Sequence, residues 1–195
     1  MITLYGYDTI NTLKVLMFLC EAGLIYEFKP INIRAGEQHS AEFRAINPAG
    51  KVPVIWDGDM HQTESNSILL SLAQKTGWGL MEGSSLNAKL IAWLFYQAST
   101  QGPYFGQIEY WSRLAKSPNS DALAQYSAIA NRSIEYLNEQ LNSQNISVGI
   151  HIASLTSRCT LGCVYINTLD YPLNTPKTCR VGVTVFWQEQ LPKKP

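Results

Sequence analysis

The chain has 195 residues, 46% of them hydrophobic and 15% charged, a composition typical of a soluble globular protein with one or two small domains. Its 15 Lys and Arg residues balance its 15 Asp and Glu residues, so the overall charge does not favour binding to nucleic acid or to an anionic membrane. No apolar run reaches the ~18 residues of a membrane-spanning helix, and MITLYGYDTI lacks the regions of a signal peptide, so we expect a cytoplasmic protein.

The first part of the chain predicts alternating strands and helices. ITLYGY and YEFKPINI are strands that flank a helix, NTLKVLMFLCEAG, which ends at Gly23. A short helical turn around residues 41–45 leads to two further strands, VPVIW and MHQT, and a helix then runs from Glu64 to Gly77. This order predicts a mixed sheet with helices on both faces.

The second part of the chain predicts helices alone. WGLMEGSSL is a linker, and a long apolar-striped helix follows, which Gly102 and Pro103 should kink or break. Another helix is predicted from about Asp121 to Leu141, with apolar residues at three-four spacing. We expect these units to occupy residues 1–77, 78–86 (the linker) and 87–142.

The four cysteines do not form the pattern of a metal site. Cys159, Cys163 and Cys179 lie in the last quarter of the chain, and the C-x3-C spacing is not that of a zinc ribbon. We therefore predict no metal. Cys20 falls on the apolar stripe of the first predicted helix, where we expect it to be buried for structural reasons.

Two ordered motifs carry a family resemblance, AINPAGKVPVIWDGD and, one hairpin later, QTESNSILLSLA. They resemble the glutathione transferase pattern N-P-x-x-K-V-P-x-[IL] followed by E-S-x-[AS]-I, and the likeness extends from residue 1 to about residue 142. The resemblance implies an α/β thioredoxin-like N-terminal domain that binds glutathione, followed by an all-α C-terminal domain that covers the second substrate. It also implies a homodimer, if the C-terminal half folds.

Both motifs fit the chemistry of glutathione binding. A cis peptide bond is accessible before Pro53 because the amide is tertiary, and the backbone of Val52 can then pair with the cysteinyl backbone of glutathione. Glu64 and Ser65 begin a helix, whose N–H groups and dipole favour an anion. The resemblance implies that Ser65 binds the γ-glutamyl carboxylate and Glu64 the ammonium. The alternatives are an ordinary edge-strand proline and a simple helix cap.

The thiolate of glutathione is the nucleophile, so the site needs a donor that stabilises it. The window YDTINTLK contains Thr9 and Asn11 but no Ser or Cys. It resembles the bacterial Nu class and the yeast nitrogen-regulator branch, as do GEQ at residues 36–38, GPYFGQ at residues 102–107 and the KTG helix end. Tyr5 and Tyr7 remain alternative hydroxyl donors, of which the strand should bury one and expose the other.

That branch implies a role for four residues. Asn11 contacts the sulfur, Thr9 assists, Gln38 touches the glycyl end, and Arg132 on the second long helix reaches glutathione. A solvated helix arginine is the alternative for Arg132. The implied reaction is conjugation to an electrophile, or reduction of a disulfide or peroxide, with glutathione as co-substrate. A non-catalytic glutathione-binding or regulatory module, and an inactive pseudogene product, are the alternatives.

After about residue 143 the sequence no longer shows the apolar spacing of a helix or a strand. GIHIASLTSRCTLGC, at residues 149–163, has neither a helical stripe nor an alternation. Translated in another frame it can encode NTYSIADIAVYPWV, which resembles the family's capped S-I-A-D helix. Two further segments, at Gln144-Asn145 and from Asn174, match family motifs in the same frame. We therefore predict a frameshift near Ser143 or Gln144 and an out-of-frame tail over residues 143–195, with a genuine divergent tail as the alternative.

Overall fold

The computed structural model of the chain describes residues 1–78 and 88–143. Its sheet has four strands in the order β2-β1-β3-β4, with bounds β1 (Ile2–Gly6), β2 (Tyr26–Pro30), β3 (Val54–Asp57) and β4 (Met60–Thr63). β1 pairs in parallel with β2 and antiparallel with β3, where Leu4 lies opposite Ile55, and β3 pairs antiparallel with β4. The mixed sheet confirms the predicted thioredoxin-like arrangement.

Helices cover both faces of the sheet, and successive side chains of β1 point alternately to one face and the other. The helices of this half are α1 (Ile10–Glu21), α2 (Ala41–Ile46) and α3 (Ser65–Thr76), and a short 3-10 turn, Glu37–His39, precedes α2. Ile2 and Leu4 are buried in the core formed with α1 and α3. Tyr5 points to the other face, where its ring lies 6.4 Å from that of Phe43 in α2.

The first and third helices supply most of this core. Leu16, Phe18 and Leu19 of α1 are at most 2% exposed, as are Ile68 and other α3 residues. Each such side chain contributes about 1.5–3 kcal/mol by its removal from water. Both helices end at a glycine in the left-handed region, Gly23 with φ 64° and Gly77 with φ 72°, a conformation in which a side chain is strained.

The second half of the described chain is helical. Its elements are α4 (Ala88–Tyr96), a first π-helical segment (Gln97–Gln101), α5 (Gly102–Glu109), a second π-helical segment (Tyr110–Leu114) and α6 (Ser120–Ser143). The predicted helix from about Asp121 is thus confirmed. Phe105 of α5 and Ala130 of α6 are buried against each other, and Ile10 of α1 packs on them, so this cluster joins the two halves.

The predicted kink or break at Gly102-Pro103 takes the form of a π-helical segment that interrupts the regular α-helix, and the chain does not leave the helix there. Gly102 has helical dihedral angles, and its N–H bonds to Gln97 O, five residues back. Proline lacks an N–H and its ring clashes with the carbonyl four residues back, which disrupts a regular α-helical ladder. The wider π-type ladder before Pro103 accommodates that residue, so the chain remains helical from α4 into α5.

The prediction that Cys20 is buried is wrong. Its side chain is exposed, at the edge of α1, with Sγ 4.0 Å from the Tyr26 hydroxyl. The buried face of α1 is instead centred on residues 12–16, 18 and 19. This face includes Lys14, whose charge made it an unexpected core residue.

Several predictions fall wholly or largely outside the described residues. These are the linker, apart from Trp78, and the out-of-frame tail beyond Ser143. The domain boundaries therefore stay predictions. In the part of the chain that the structure describes, no helix has the length and apolarity that a bilayer span requires.

Candidate functional site

A cleft of about 910 Å³ lies where the α/β half meets the helical half. Its first wall is formed by the start of α1, the start of α3 and two loops, and its second wall by the first π-helical segment, α5 and the second π-helical segment. The first-wall residues are Tyr7, Asp8, Thr9, Ile10, Asn11, Leu13, Lys14, Ile33, Arg34, Lys51, Glu64, Ser65 and Asn66. The second-wall residues are Gln97, Ala98, Gly102, Pro103, Phe105, Gly106, Glu109, Arg113 and Leu114.

Asn11 and Ser65 meet on the first wall. Ser65 is the first residue of α3 and is 8% exposed, and its hydroxyl donates to Asn11 Oδ1 over 3.3 Å. Asn11 is exposed in the first turn of α1, and this bond leaves its Nδ2 as a donor. The fold therefore brings a side-chain amide donor beside a hydroxyl at a helix N-terminus, a combination suited to an anionic ligand.

Glu64 lies immediately before α3 in an unusual backbone conformation. Its φ is 63° and its ψ is 111°, and it is the one non-glycine with positive φ among the described residues. A side chain in this region is strained by about 1–3 kcal/mol, and such residues concentrate at functional sites. The Glu64 carboxylate is exposed and lines the cleft beside Ser65.

Thr9 lines the same wall, but its hydroxyl is engaged locally. It is the N-cap of α1, and its Oγ1 accepts from the Thr12 backbone N–H at 3.3 Å. The same oxygen shares a hydrogen bond with Thr12 Oγ1 at 3.0 Å. The structure thus gives Thr9 a capping role, and its assistance to the thiol stays a prediction.

The two tyrosines considered as donors lie on different sides. Tyr7 lines the cleft, whereas Tyr5 packs on Phe43, and Lys29 Nζ lies 5.7 Å from the Tyr5 ring centroid. Both rings are half-buried, so the expectation that one is buried and the other exposed is wrong. The reason is that Tyr5 and Tyr7 are two residues apart, so strand alternation gives them the same side and not opposite sides; Tyr7 also lies just beyond the end of β1 at Gly6.

The predicted cis bond between Val52 and Pro53 is present. The loop before it is shaped by Asn47, whose Nδ2 donates to Lys51 O at 2.7 Å and whose Oδ1 accepts from the Ala49 N–H. Asn47 is 4% exposed. The asparagine of the first motif therefore holds the segment that leads to Val52. Val52 is half-buried and Pro53 is buried, and the cleft is lined by the neighbouring Lys51.

Gln38 and Arg132 do not line the cleft in this structure. Gln38 Oε1 is buried without a hydrogen-bond partner in the described part of the chain, and Gln38 Nε2 lies 3.2 Å from His39 Nε2. Arg132 is exposed on α6. The roles of both residues toward glutathione stay predictions.

A buried polar cluster of Lys14, Asn66 and Gln97 packs behind the first wall of the cleft. The sequence analysis did not predict this cluster. Lys14 is 1% exposed, and its Nζ donates to Asn66 Oδ1 and to Gln97 Oε1, each at 3.1 Å. Asn66 Nδ2 donates to Gln97 Oε1 and to Leu94 O, both at 2.9 Å. The cluster links α1, the start of α3 and the helical half, so it fixes the position of Ser65 relative to the second wall.

The charged residues of the cleft were also not all predicted. Arg34 and Lys51 are exposed on the first wall, and Glu109 and Arg113 form an ion pair of 3.0 Å on the second. Lys51 could have been found from its place in the K-V-P motif. The others have no motif, since their position in the cleft depends on the packing of the two halves.

The comparisons with known proteins identify the family. Residues 1–74 match the glutathione S-transferase N-terminal domain. The disulfide-bond oxidoreductase YfcG of Escherichia coli (strain K12) is 33% identical over 150 residues, which are 73% of this chain and 70% of that protein. The chain belongs to the glutathione S-transferase family. This confirms the resemblance drawn from the two motifs.

Two further similar proteins are informative. Protein URE2 of Eremothecium gossypii is 37% identical over 106 residues, which are 50% of this chain and 30% of that protein. The crystal structure of a family member from Pseudomonas fluorescens Pf-5, with two glutathione bound, superposes with a TM-score of 0.77. It is 29% identical and the match covers 84% of this chain and 77% of that one. The similar proteins thus include two from bacteria and one named URE2.

Proposed function

We propose that the chain binds glutathione on the first wall of the cleft and uses its thiolate as a nucleophile. The observation that carries the proposal is the contact between Asn11 and Ser65, beside Glu64, at the start of α3. The N–H groups there, with the Ser65 hydroxyl, suit the γ-glutamyl carboxylate, and the exposed Glu64 carboxylate suits the ammonium. The backbone of Val52, turned outward by the cis bond to Pro53, supplies the strand-like pairing with the cysteinyl backbone. Gln38 would contact the glycyl end and Arg132 would reach glutathione from outside the residues that line the cleft.

Asn11 acts on the thiol. Because Asn11 Oδ1 accepts from Ser65, its Nδ2 is the atom that can donate to sulfur. A donor to the thiolate favours it over the thiol, which lowers the pKa of the glutathione thiol and raises the fraction of nucleophile at neutral pH. Thr9 fixes the first turn of α1 and so holds Asn11 in place.

The reaction we favour is disulfide reduction, with conjugation and peroxide reduction as the other reactions of the same thiolate. The bound thiolate attacks one sulfur of a disulfide, a new S–S bond forms, and the other sulfur leaves with the electron pair as a thiolate that water protonates. The name of YfcG as a disulfide-bond oxidoreductase supports this choice. Charged groups on both walls also suit polar disulfides better than a purely apolar electrophile.

A non-catalytic glutathione-binding protein is the second candidate. The observation in its favour is that the Thr9 hydroxyl is committed to Thr12, which leaves an amide rather than a hydroxyl to stabilise the thiolate. Such a protein would bind glutathione without turnover. We further propose a homodimer, a cytoplasmic location, and the units 1–77, 78–86 and 87–142.

One experiment separates the two candidates. The full chain is tested for glutathione binding by calorimetry and for glutathione-dependent reduction of a small disulfide in a coupled assay. Binding with turnover that Asn11→Ala lowers by about a hundredfold supports the enzyme. Binding with no turnover supports the second candidate, and absence of binding contradicts both.

A further inference from the structure

A buried cation lies at the floor of the cleft, and the proposed function gives it no task. Lys14 lines the cleft, yet it is only 1% exposed. Its Nζ donates to Asn66 Oδ1 and to Gln97 Oε1, each at 3.1 Å. Both partners are carbonyl oxygens, which suit an ammonium because it has three donors and no acceptor. Since lysine is almost never buried to this degree unless it is paired, the polar cluster is what holds this positive charge away from solvent.

The ammonium lies behind the two groups that the proposed function brings to glutathione. Lys14 follows Asn11 by three residues in α1, so the two side chains lie on the same face of the helix, about one turn apart. Asn66, which accepts from Lys14, follows Ser65 in α3, and the Ser65 hydroxyl donates to Asn11 Oδ1 over 3.3 Å. The charge of Lys14 is thus connected to the start of α3, and it lies on the same side of α1 as the proposed thiol donor.

Burial distinguishes Lys14 from the other cations of the cleft. Arg34, Lys51 and Arg113 also line the cleft, but all three are exposed, and water and salt screen exposed charges. A buried charge is screened much less. At an effective dielectric constant of about 20, a unit charge about 10 Å away shifts a pKa by roughly one unit. Lys14 therefore has a larger effect than an exposed cation at the same distance on an anion bound beside Asn11.

We propose that Lys14 is a positioning residue for the thiol step, and that its buried ammonium stabilises the thiolate of bound glutathione over the thiol. This inference rests on the proposed function, in which the Asn11 amide donates to the sulfur. A neutral amide alone stabilises an anion weakly, and a positive charge behind it adds to that stabilisation without touching the sulfur. The hydrogen bond from Lys14 to Asn66 also keeps the start of α3 in place.

The helical half takes part in this arrangement through Gln97. Gln97 lies in the first π-helical segment, and its Oε1 accepts from Lys14 and, at 2.9 Å, from Asn66 Nδ2. Gly102 leaves room for this side chain, because a Cβ at that position would lie 3.0 Å from Gln97 Nε2. The ammonium is therefore held between the two halves of the chain, and its position depends on how they pack.

The test is the pH dependence of the ultraviolet absorbance of the thiolate, recorded with the full chain saturated with glutathione so that changes in affinity do not enter. Lys14→Met removes the charge and keeps a long side chain, and it should raise the pKa of the bound thiol by about one unit. Lys14→Arg keeps the charge and should stay within about 0.3 units of the unaltered chain. Ile68→Val is the control, since it loosens the buried face of α3 without a change of charge and does not line the cleft. It should leave the pKa of the bound thiol unchanged.

Each other outcome overturns the inference. If Lys14→Met leaves the pKa of the bound thiol unchanged, the ammonium does not act on the thiol, although glutathione binding stands. If Lys14→Arg or Ile68→Val raises that pKa as much as Lys14→Met does, packing and not charge is responsible. If the unaltered chain binds no glutathione, the proposed function fails as well. Should Lys14→Met not fold or not bind glutathione, Lys14→Gln decides by the same measurement, because glutamine is neutral and its amide still donates.

Discussion

At the scale of single residues, Asn11 and Cys20 separate two accounts of the thiol chemistry. Both belong to α1, but Asn11 lines the cleft while Cys20 is exposed beside Tyr26. We expect Asn11→Ala to lower kcat/KM for disulfide reduction by about a hundredfold, the scale of one donor to a stabilised anion. Cys20→Ala should keep most of the activity. The reverse pattern in steady-state assays would indicate a cysteine-type transferase.

Tyr26 gives a pH-dependent prediction. Burial, followed by the nearby Cys20 thiol, raises the pKa of the Tyr26 phenol from 10.0 to about 12. Because the folded state holds this proton more tightly than the unfolded state, the contribution to stability is complete below pH 10 and is lost as the pH rises toward 12. The melting temperature of the unaltered chain should therefore fall more steeply between pH 10 and 12 than that of Tyr26→Phe. Parallel curves would contradict the assignment.

At the scale of elements, α5 contains two glycines with opposite expectations. A Cβ on Gly102 would lie 3.0 Å from Gln97 Nε2 and 3.1 Å from Gln97 O, whereas one on Gly106 would meet nothing within 4 Å. Gly106→Ala should raise the free energy of unfolding by about 0.5–1 kcal/mol through helix propensity. Gly102→Ala should lower it by about 1 kcal/mol, because Gln97 must move from Lys14 and Asn66. Urea denaturation measures both, and equal gains would contradict the packing described for Gln97.

The elements also show which features a sequence can predict. The strands and the helices α1, α3 and α6 follow from alternation, three-four spacing and terminal glycines, all of which are local signals. These local signals did not predict the first π-helical segment. The hydrogen bonds that accommodate Pro103 join backbone groups five residues apart, and no side-chain pattern in the sequence indicates them. They also led to the wrong prediction that Cys20 is buried. A helical wheel shows which residues of α1 form an apolar stripe, but it does not show how far along the helix the neighbouring elements cover that stripe.

Some residues of the candidate site could be predicted from local motifs, and others could not because they depend on contacts between distant parts of the chain. Asn11, Glu64 and Ser65 were predicted because their motifs are contiguous in the chain, and they do lie together on one wall. The burial of Lys14 was not predicted, since its partners Asn66 and Gln97 are distant in the sequence. The charge pair on the second wall was missed for the same reason: only the packing of the helical half on the α/β half brings it to the cleft.

At the scale of the whole molecule, the frameshift hypothesis predicts that the chain gains stability when its frame is restored. One base inserted near codon 143 would encode the S-I-A-D helix, with its capping box and apolar face. We expect the melting temperature to rise by about 5 °C or more, since a cap and core packing contribute several kcal/mol. No gain, together with protection of residues 144–195 from protease in the chain as given, would contradict the hypothesis.

The central claim is that glutathione binds at the start of α3, and Ser65→Ala tests it most directly. Calorimetry should show glutathione binding weakened by about 1–3 kcal/mol, roughly 5- to 150-fold in Kd, because a charge-assisted contact to the γ-glutamyl carboxylate is lost. Ser67→Ala is the control, since Ser67 Oγ accepts from Gln62 and does not line the cleft. A large rise in Kd for Ser65→Ala alone is the result we predict, and an affinity equal to that of the unaltered chain would contradict the claim.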